Sequence, residues 1–356
     1  MEALIENWVG RVAEAASAGR SLAIRGGGSK AFYGHPENGD VLEVGAYRGI
    51  VAYEPTELVV TARAGTPLSE LAAALAEQGQ WLPFEPPHFG AAATLGGMLA
   101  AGLSGPRRQA VGAVRDFVLG VKVLSGAGEV LSFGGQVMKN VAGYDVPRLM
   151  AGSLGTLGVL LEVSLKVLPL PVAEKSLRFT IDEASALARL NQWGGQPLPI
   201  SASAWHDGVL TLRLSGAAAA VAAAQRALAG EELPEADAVA FWQSLREQTH
   251  AFFAGDGPLW RLSLPSVAPR QALPGSTLIE WGGAQRWLRG GDSRAIREAA
   301  AKAGGHATLF RADDALKASA GVFQPLPAPL LRIHRNLKHA FDPQGVFNRG
   351  RMYPGL

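Results

Sequence analysis

The stretch SLAIRGGGSKAFYGH, residues 21–35, sets three consecutive glycines behind a short apolar run and an arginine. Without Cβ atoms a backbone can come very close to another group, so Arg25, Gly26, Gly27, Gly28 and Ser29 can aim several N–H groups at one point. Such a nest holds anions, most often phosphate. A tight turn between strands is the plainer reading, and for one isolated cluster the two weigh equally. Two more clusters follow. ATLGGMLAAGLSGPRR runs from Ala93 to Arg108, and KNVAGYDVPRLMAGSLGTLGVLLEV from Lys139 to Val163. A turn explanation must then be invoked three times, whereas one extended ligand lying along several loops accounts for all three.

Neither common phosphate motif fits. Gly26, Gly28 and Ala31 match G-x-G-x-x-A, with Glu43 at the end of a later strand. The dinucleotide fingerprint also needs a helix to open at the loop, and the chain continues KAFYGHPENGD, where none fits. The P-loop fails because no Gly–Lys dipeptide occurs. Phosphate at the first loop is therefore expected on loop amides, without a helix dipole. The seven histidines, His35, His88, His206, His250, His306, His334 and His339, form neither H-x-H nor H-E-x-x-H. His334 and His339 are five apart on a helix, too far round to share one ligand cleanly. Each lone histidine reads as surface or satisfied core before it reads as a base.

These loops need elements to hold them. Leu4, Ile5, Trp8, Val9 and Val12 predict a helix closed by Gly19. SLAIR, DVLEV at 40–44 and LVVTARAG at 58–65 predict strands. Thr66 is the expected N-cap of a helix with Pro67 at its first position, Leu68, Leu71, Ala72 and Leu75 on one face, and Gly79 at its end. FVLGVKVLS and EVLSFG predict two strands joined by a turn at Gly126–Gly128, and residues 157–170 a further long strand. After Pro169 and Pro171 the glycine motifs thin out. Strands are expected at 176–181, 200–205, 208–214, 259–264, 276–281 and 306–310. Helices are expected at 182–194, 216–229, 241–253 and 293–303, all on one side of the strand layer. APLLRIHRNLKHAFDPQGVFNRGRMYP predicts a helix, a Pro–Gly turn and an extended tail.

The 356 residues suit about two domains, and 48% hydrophobic against 18% charged residues is enough to fill large cores. A net charge of +2 gives no field directed at nucleic acid. The absence of cysteine excludes disulfides, zinc–thiolate sites, cysteine-ligated iron–sulfur clusters and a cysteinyl flavin link, and suits the cytoplasm. Glu2, Glu6, Arg11 and Glu14 interrupt the first apolar residues, so no signal peptide is expected. The longest uncharged window, Pro86 to Pro106, holds five glycines and three prolines and reads as packed loop, so no membrane span is expected.

The pieces RGGGSKAFYG, TARAGTPLSELAAALAEQG, ATLGGMLAAG, VRDFVLGVKVLSGAGEVLSFGG, GSLGTLGVLLEVSLKVLP and FDPQGVFNRGRMYP together resemble the FAD-binding superfamily of vanillyl-alcohol oxidase and p-cresol methylhydroxylase. SGPRR, VRDFVLG and FGGQVMKNVAGYD bring the resemblance nearer to the FAD-binding E subunits of bacterial glycolate oxidases. It covers nearly the whole chain and is weakest between about 175 and 325. The implied fold is α+β. It comprises a two-subdomain PCMH-type FAD-binding domain (1–172), a smaller α+β cap domain (173–325) and a C-terminal segment (326–356) packing back near the flavin.

The resemblance also implies site residues. Arg25, Gly26, Gly27, Gly28 and Ser29 would hold the FAD pyrophosphate, and a bulky residue at Gly27 would block the ligand. Thr94, Leu95, Gly96 and Gly97 would lie against the pyrophosphate and the isoalloxazine. Gly152, Ser153, Gly155, Thr156, Gly158 and Val159 would press on the adenine or flavin. Asn348 and Arg351 would return to the flavin, although Arg349 stands where the pattern has proline. Asp145 reads equally as a turn cap or, with Lys139, as a cofactor contact. Arg107 and Arg108 read as phosphate- or partner-binding, or as a solvated pair.

The flavin is expected to be dissociable, because His35 and His88 do not stand where linked members carry their histidine. Oxidising a 2-hydroxy acid needs a base, a cation for the carboxylate and the flavin as hydride acceptor. The His/Glu metal cluster of catalytic relatives is not in the sequence. The implied role is an FAD-binding subunit beside a larger FAD-binding subunit and an iron–sulfur subunit, cytoplasmic and peripheral to the inner membrane only through its partners. The alternatives are a self-sufficient oxidoreductase, with Arg311, His334, Asn336 and Arg351 lining its pocket, and a non-catalytic assembly subunit. Trp205, Trp242, Trp260, Trp281 and Trp287 are expected mostly in cores, with one or two at an interface.

Overall fold

The computed structural model describes residues 1–135 and 145–356; Lys139 lies outside the described residues. The chain opens with the helix Glu2–Ser17, which turns Trp8, Val12 and Ala15 inward. The strand Leu22–Arg25 pairs in parallel with Asp40–Glu43. On its other side it meets the C-terminal tail: Leu22 N–H donates to Val346 O at 2.7 Å, and Asn348 N–H donates to Leu22 O at 2.9 Å. The two ends of the chain thus close around the first glycine loop.

A five-stranded antiparallel sheet follows, in the order Ile50–Glu54, Val59–Arg63, Val159–Lys166, Val118–Leu124, Val130–Gly134. The central strand reads as a near-continuous apolar run because both of its faces are covered. Val159 and Leu161 pack with Trp8, Leu42 and Phe347, while Leu160, Val163 and Leu165 join the cluster around Leu68, Leu71, Leu75 and Phe84.

The second large sheet has eight strands, from Glu231–Glu232 at one edge to His306–Arg311 at the other, with every recorded pairing antiparallel. The helices Glu183–Gly194, Ala218–Leu228 and Ser293–Lys302 cover one face. Glu235–Arg246 does not join them. Its Trp242 and Leu245 lie on the opposite face with Ala202, Leu259, Leu278 and Trp287, and Tyr33, Ala101 and Leu154 of the first half enter the same cluster. The expectation of helices on one side is corrected here, and the face it overlooked is where the two halves of the chain meet.

Other differences have local causes. Ile50–Glu54 and Gln285–Arg289 are strands that the turn-rich or polar sequence concealed. Pro67, not Thr66, caps Leu68–Ala76; Thr66 is buried and its hydroxyl accepts from Gly49 N–H at 2.9 Å instead. The helix expected at 241–253 starts earlier, at Glu235, and ends at Arg246.

An ionic network ties the halves together. Glu85 accepts from the Arg107 backbone N–H at 2.9 Å and from Arg213 Nη2 at 2.9 Å, and Arg107 Nη2 reaches Glu174 at 2.5 Å. The Arg107 guanidinium lies over Trp81 and that of Arg213 over Trp242, at 4.6 and 4.9 Å. Of the five expected tryptophans all are buried, and Trp281 also donates across the junction to Gly105 O at 3.1 Å.

Candidate functional site

The first glycine loop leaves the strand Leu22–Arg25 and lines a cleft that it shares with residues of the second and third glycine loops and of the C-terminal tail. Among the described residues, no protein acceptor meets the backbone N–H of Gly26, Gly27, Gly28 or Ser29, and all four residues line the cleft. Gly28 has φ +69° and open space where a Cβ would stand. Unpaired amides at the wall of a cleft call for an anionic or polar acceptor. Gly27 has a different reason to be glycine: a Cβ there would meet Ala92 O at 1.4 Å. A bulky residue at Gly27 therefore collides first with the backbone of Ala92, just ahead of the second loop.

The second loop lies directly against the first; a Cβ on Gly26 would stand 2.6 Å from Thr94 Oγ1. A helix does open here, beside the first loop. Thr94 caps the short helix Leu95–Ala101, and Gly96 and Gly97 line the cleft. Yet this helix end has no free donors to offer. Leu95 N–H goes to Thr66 O, Gly96 N–H to Ala64 O, Gly97 N–H to Thr94 Oγ1 and Met98 N–H to Thr94 O. The second loop and Ala64 give the cleft a wall of small residues, Ala64, Gly96, Gly97, Ala100 and Ala101.

The third loop reaches the cleft through Leu154, Gly155 and Gly158. It is stapled to the first strand by Asn348, which accepts from Ile24 N–H at 2.8 Å and donates to Leu154 O at 2.6 Å. Buried Lys338 reinforces this, donating to Thr156 O, Phe347 O and Asp342 at 2.6–2.7 Å. Arg351 lines the cleft too, but its guanidinium is engaged by the carbonyls of Ala31 and His35 and braces the segment after the first loop.

The other expected residues lie elsewhere. Leu95 and Val159 are core, while Gly152, Ser153 and Thr156 shape the third loop behind the cleft wall, with Thr156 Oγ1 donating to Ser153 O at 2.7 Å. Asp145 is exposed, caps Val146–Met150 and pairs with Arg148 at 3.1 Å, so of its two readings the structure has the cap. Arg107 is neither at the cleft nor solvated; it is buried between the halves, and Arg108 stacks on Trp281 at 4.4 Å. Arg311, His334, Asn336 and Arg351 do not converge: only Arg351 lines the cleft, and Arg311 sits on the Phe32 ring at 3.7 Å.

Sequence reasoning missed Lys30, Tyr33 and Glu37, all of which line the cleft. Arg25 is paired with Glu37 at 2.6 Å, and this hydrogen bond raises its pKa. Lys30 has no carboxylate within ion-pair distance among the described residues. Its ammonium donates to His88 O at 3.1 Å and Ser29 Oγ at 3.3 Å. Burial pulls its pKa from 10.5 down to about 8, with Glu247 opposing. A lysine directly behind a glycine nest was the available signal. Lys30 and the four free amides fit a diphosphate, and the small-residue wall fits a flavin ring. Among the described residues no three His, Asp or Glu side chains are placed to hold a metal ion.

The FAD binding domain family matches residues 6–134. The chain is 53% identical to the glycolate oxidase subunit GlcE of Escherichia coli over 356 residues, which is all of this chain and 98% of that protein. It is 31% identical to the glycolate oxidase subunit GlcD of Bacillus subtilis over 153 residues, 43% of this chain and 32% of that longer protein. An alkyldihydroxyacetonephosphate synthase structure shares the fold, with TM-score 0.65 at 15% identity over 95% of this chain and 74% of that one. The glycine loops, their shared cleft and a likeness running end to end place the chain in one family: it belongs to the FAD-binding glycolate oxidase subunits of the GlcE type.

Proposed function

We propose that the chain is the FAD-binding subunit of a glycolate oxidase, holding FAD dissociably and working beside a larger flavin subunit and an iron–sulfur subunit as glycolate is oxidised to glyoxylate. The observation that carries this reading is the cleft itself, where free amides at Gly26–Ser29, the Lys30 ammonium and a wall of small residues face one space. The first loop and Lys30 bind the diphosphate; Thr94, Gly96, Gly97, Gly155 and Asn348 fix the walls that orient the ring and exclude water. FAD, when bound, supplies the hydride acceptor. On this reading residues 1–172 with 326–356 form the cofactor unit and 173–325 the cap.

Dissociable binding is supported by the cleft's lining, which includes no histidine among the described residues, and by a chain without cysteine. No helix among the described residues is long and apolar enough to cross a membrane, so attachment to one would run through the partners. The test is purification of the native complex with flavin counted per subunit. The expected result is a yellow chain whose FAD is released by acid precipitation, co-purifying with a second flavoprotein and a cysteine-rich protein. Glycolate oxidation by the isolated chain at an ordinary enzyme rate, about 10 per second, would overturn the division of labour.

A further inference from the structure

One carboxylate of the second half of the chain reaches toward the cleft of the first. Glu247 stands just past the last turn of the helix Glu235–Arg246. Its Oε2 accepts from the backbone N–H of Phe89 at 2.8 Å and from that of His88 at 3.0 Å, while its Oε1 accepts from Arg246 Nε at 2.8 Å. The carbonyl of the same His88 accepts from the Lys30 ammonium at 3.1 Å, and Lys30 lines the cleft. A continuous path of hydrogen bonds and backbone therefore runs from Glu247, through the loop at His88 and Phe89, to Lys30.

Both sides of this contact hold uncommon backbone. Phe89 has φ +54°, and Gln248, next to Glu247, also has φ +54°. Left-handed backbone at bulky residues persists where the surroundings fix it. Here both halves of the chain do so. The Phe89 ring packs on Phe32 at 5.5 Å, and Lys30 and Arg311 lie over it at 5.6 and 5.3 Å. Gln248 Oε1 in turn accepts from Arg311 Nη2 at 2.9 Å.

A carboxylate on two consecutive amides does two things. Its charge-assisted hydrogen bonds fix the orientation of the loop, and with it the direction in which His88 O points. Its charge also acts on Lys30. The charged or titratable groups packed around this loop are Glu247, Arg246, Arg311 and His88; of these Glu247 supplies the negative charge, and it opposes the effect of burial on the Lys30 ammonium.

We propose that Glu247 is a positioning residue for the flavin site: it aims Lys30 at the diphosphate through the His88–Phe89 loop, so that docking of the second half of the chain sets the affinity of the first half for FAD. The contacts stand on geometry, whereas their consequence for the cofactor rests on the function proposed above. The coupling is reciprocal. FAD bound at Lys30 tightens the loop on Glu247, and the loop held by Glu247 tightens FAD.

The test is FAD titration of the deflavinated full chain between pH 7 and 9.5, for Glu247→Ala and Glu247→Gln, each with and without Lys30→Met. Glu247→Ala should weaken FAD at least about tenfold at pH 7, but less than about twofold further where Lys30 is already methionine. Glu247→Gln keeps an acceptor for the two amides and loses the charge. Its affinity at pH 7 should stay near wild type, while the pH above which affinity falls moves below 8. Hydrogen exchange at the His88 and Phe89 amides should slow when FAD binds to wild type, and not when it binds to Lys30→Met. A Glu247→Ala variant with wild-type affinity, or one that loses the same factor with and without Lys30, overturns the proposal and leaves Glu247 a structural contact. Should Glu247→Ala fail to fold, an unshifted pH profile in Glu247→Gln overturns it instead. Either result in a chain that takes up FAD counts against this proposal alone, whereas a wild-type chain that takes up none overturns the flavin reading and this proposal with it.

Discussion

Replacing Lys30 by methionine keeps most of the side chain's bulk and removes its charge. Burial shifts the Lys30 pKa from 10.5 to about 8, a depression of some 2.5 units, or roughly 3 kcal/mol of unfavourable environment for the charged form at 1.36 kcal/mol per unit. A diphosphate on the neighbouring amides brings negative charge beside the ammonium and restores the charged form. The linkage has a definite sign. Below pH 8 Lys30 is already charged and FAD affinity does not change with pH through this group. Above pH 8 binding takes up a proton, so the dissociation constant rises toward tenfold per pH unit until the pKa of the bound state is reached. The largest total loss is roughly 300-fold, the same 2.5 units read as affinity. The assay is FAD titration of the deflavinated chain between pH 7 and 9.5. Lys30→Met should bind weakly at pH 7 and show a flat profile. A variant with wild-type affinity and a wild-type pH profile would refute the assignment of Lys30 to the diphosphate.

Three further outcomes follow from named contacts. Gly27→Ala drives a Cβ to 1.4 Å from Ala92 O, so the first two loops must part; flavin content should collapse, while Gly28→Ala, with open space but φ +69°, should cost only about 1–2 kcal/mol of backbone strain and keep the cleft, as flavin counting and melting curves would report. Arg107→Leu takes the 2.5 Å partner from half-exposed Glu174 and the 3.7 Å one from Glu85, which keeps Arg213 and the backbone N–H of residue 107, and should lower unfolding free energy by about 1–3 kcal/mol in a denaturant titration. Glu280 is raised from 4.5 to about 7, so its neutral form stabilises the fold fully below pH 4.5 and that contribution is lost as pH rises through 7; Glu280→Gln should therefore be about 3 kcal/mol more stable than wild type at pH 8 and nearly equal to it at pH 4.

The sequence made the scaffold legible wherever one pattern decided the outcome. The run at 157–170 reads as a strand because its neighbours cover both faces, and the three glycine loops stand out because each needs close backbone approach. What stayed hidden was long-range. Nothing in the local pattern of Arg107 says that Glu85, Glu174 and Arg213 converge on it from segments far apart in the chain. Glu280 looks like an ordinary strand-end carboxylate until its burial is known. Glycine itself misled at Gly27, where the close neighbour is Ala92 of the same chain, and at Gly96, whose amide is spent on Ala64. Asp145 stands just upstream of a glycine loop and Arg351 matches a family position in the tail, but neither signal distinguishes a cap or a brace from a ligand contact.

The central claim is that the amides of Gly26–Ser29, with Lys30, grip a diphosphate. Competition of ADP and of adenosine against FAD on the deflavinated chain tests it most directly, since the two competitors differ only in that group. Two or more charge-assisted hydrogen bonds at about 1.5–3 kcal/mol each predict that ADP displaces FAD at least about 100-fold more effectively than adenosine. Equal potency of the two competitors, or a chain that takes up no FAD at all, would contradict the account.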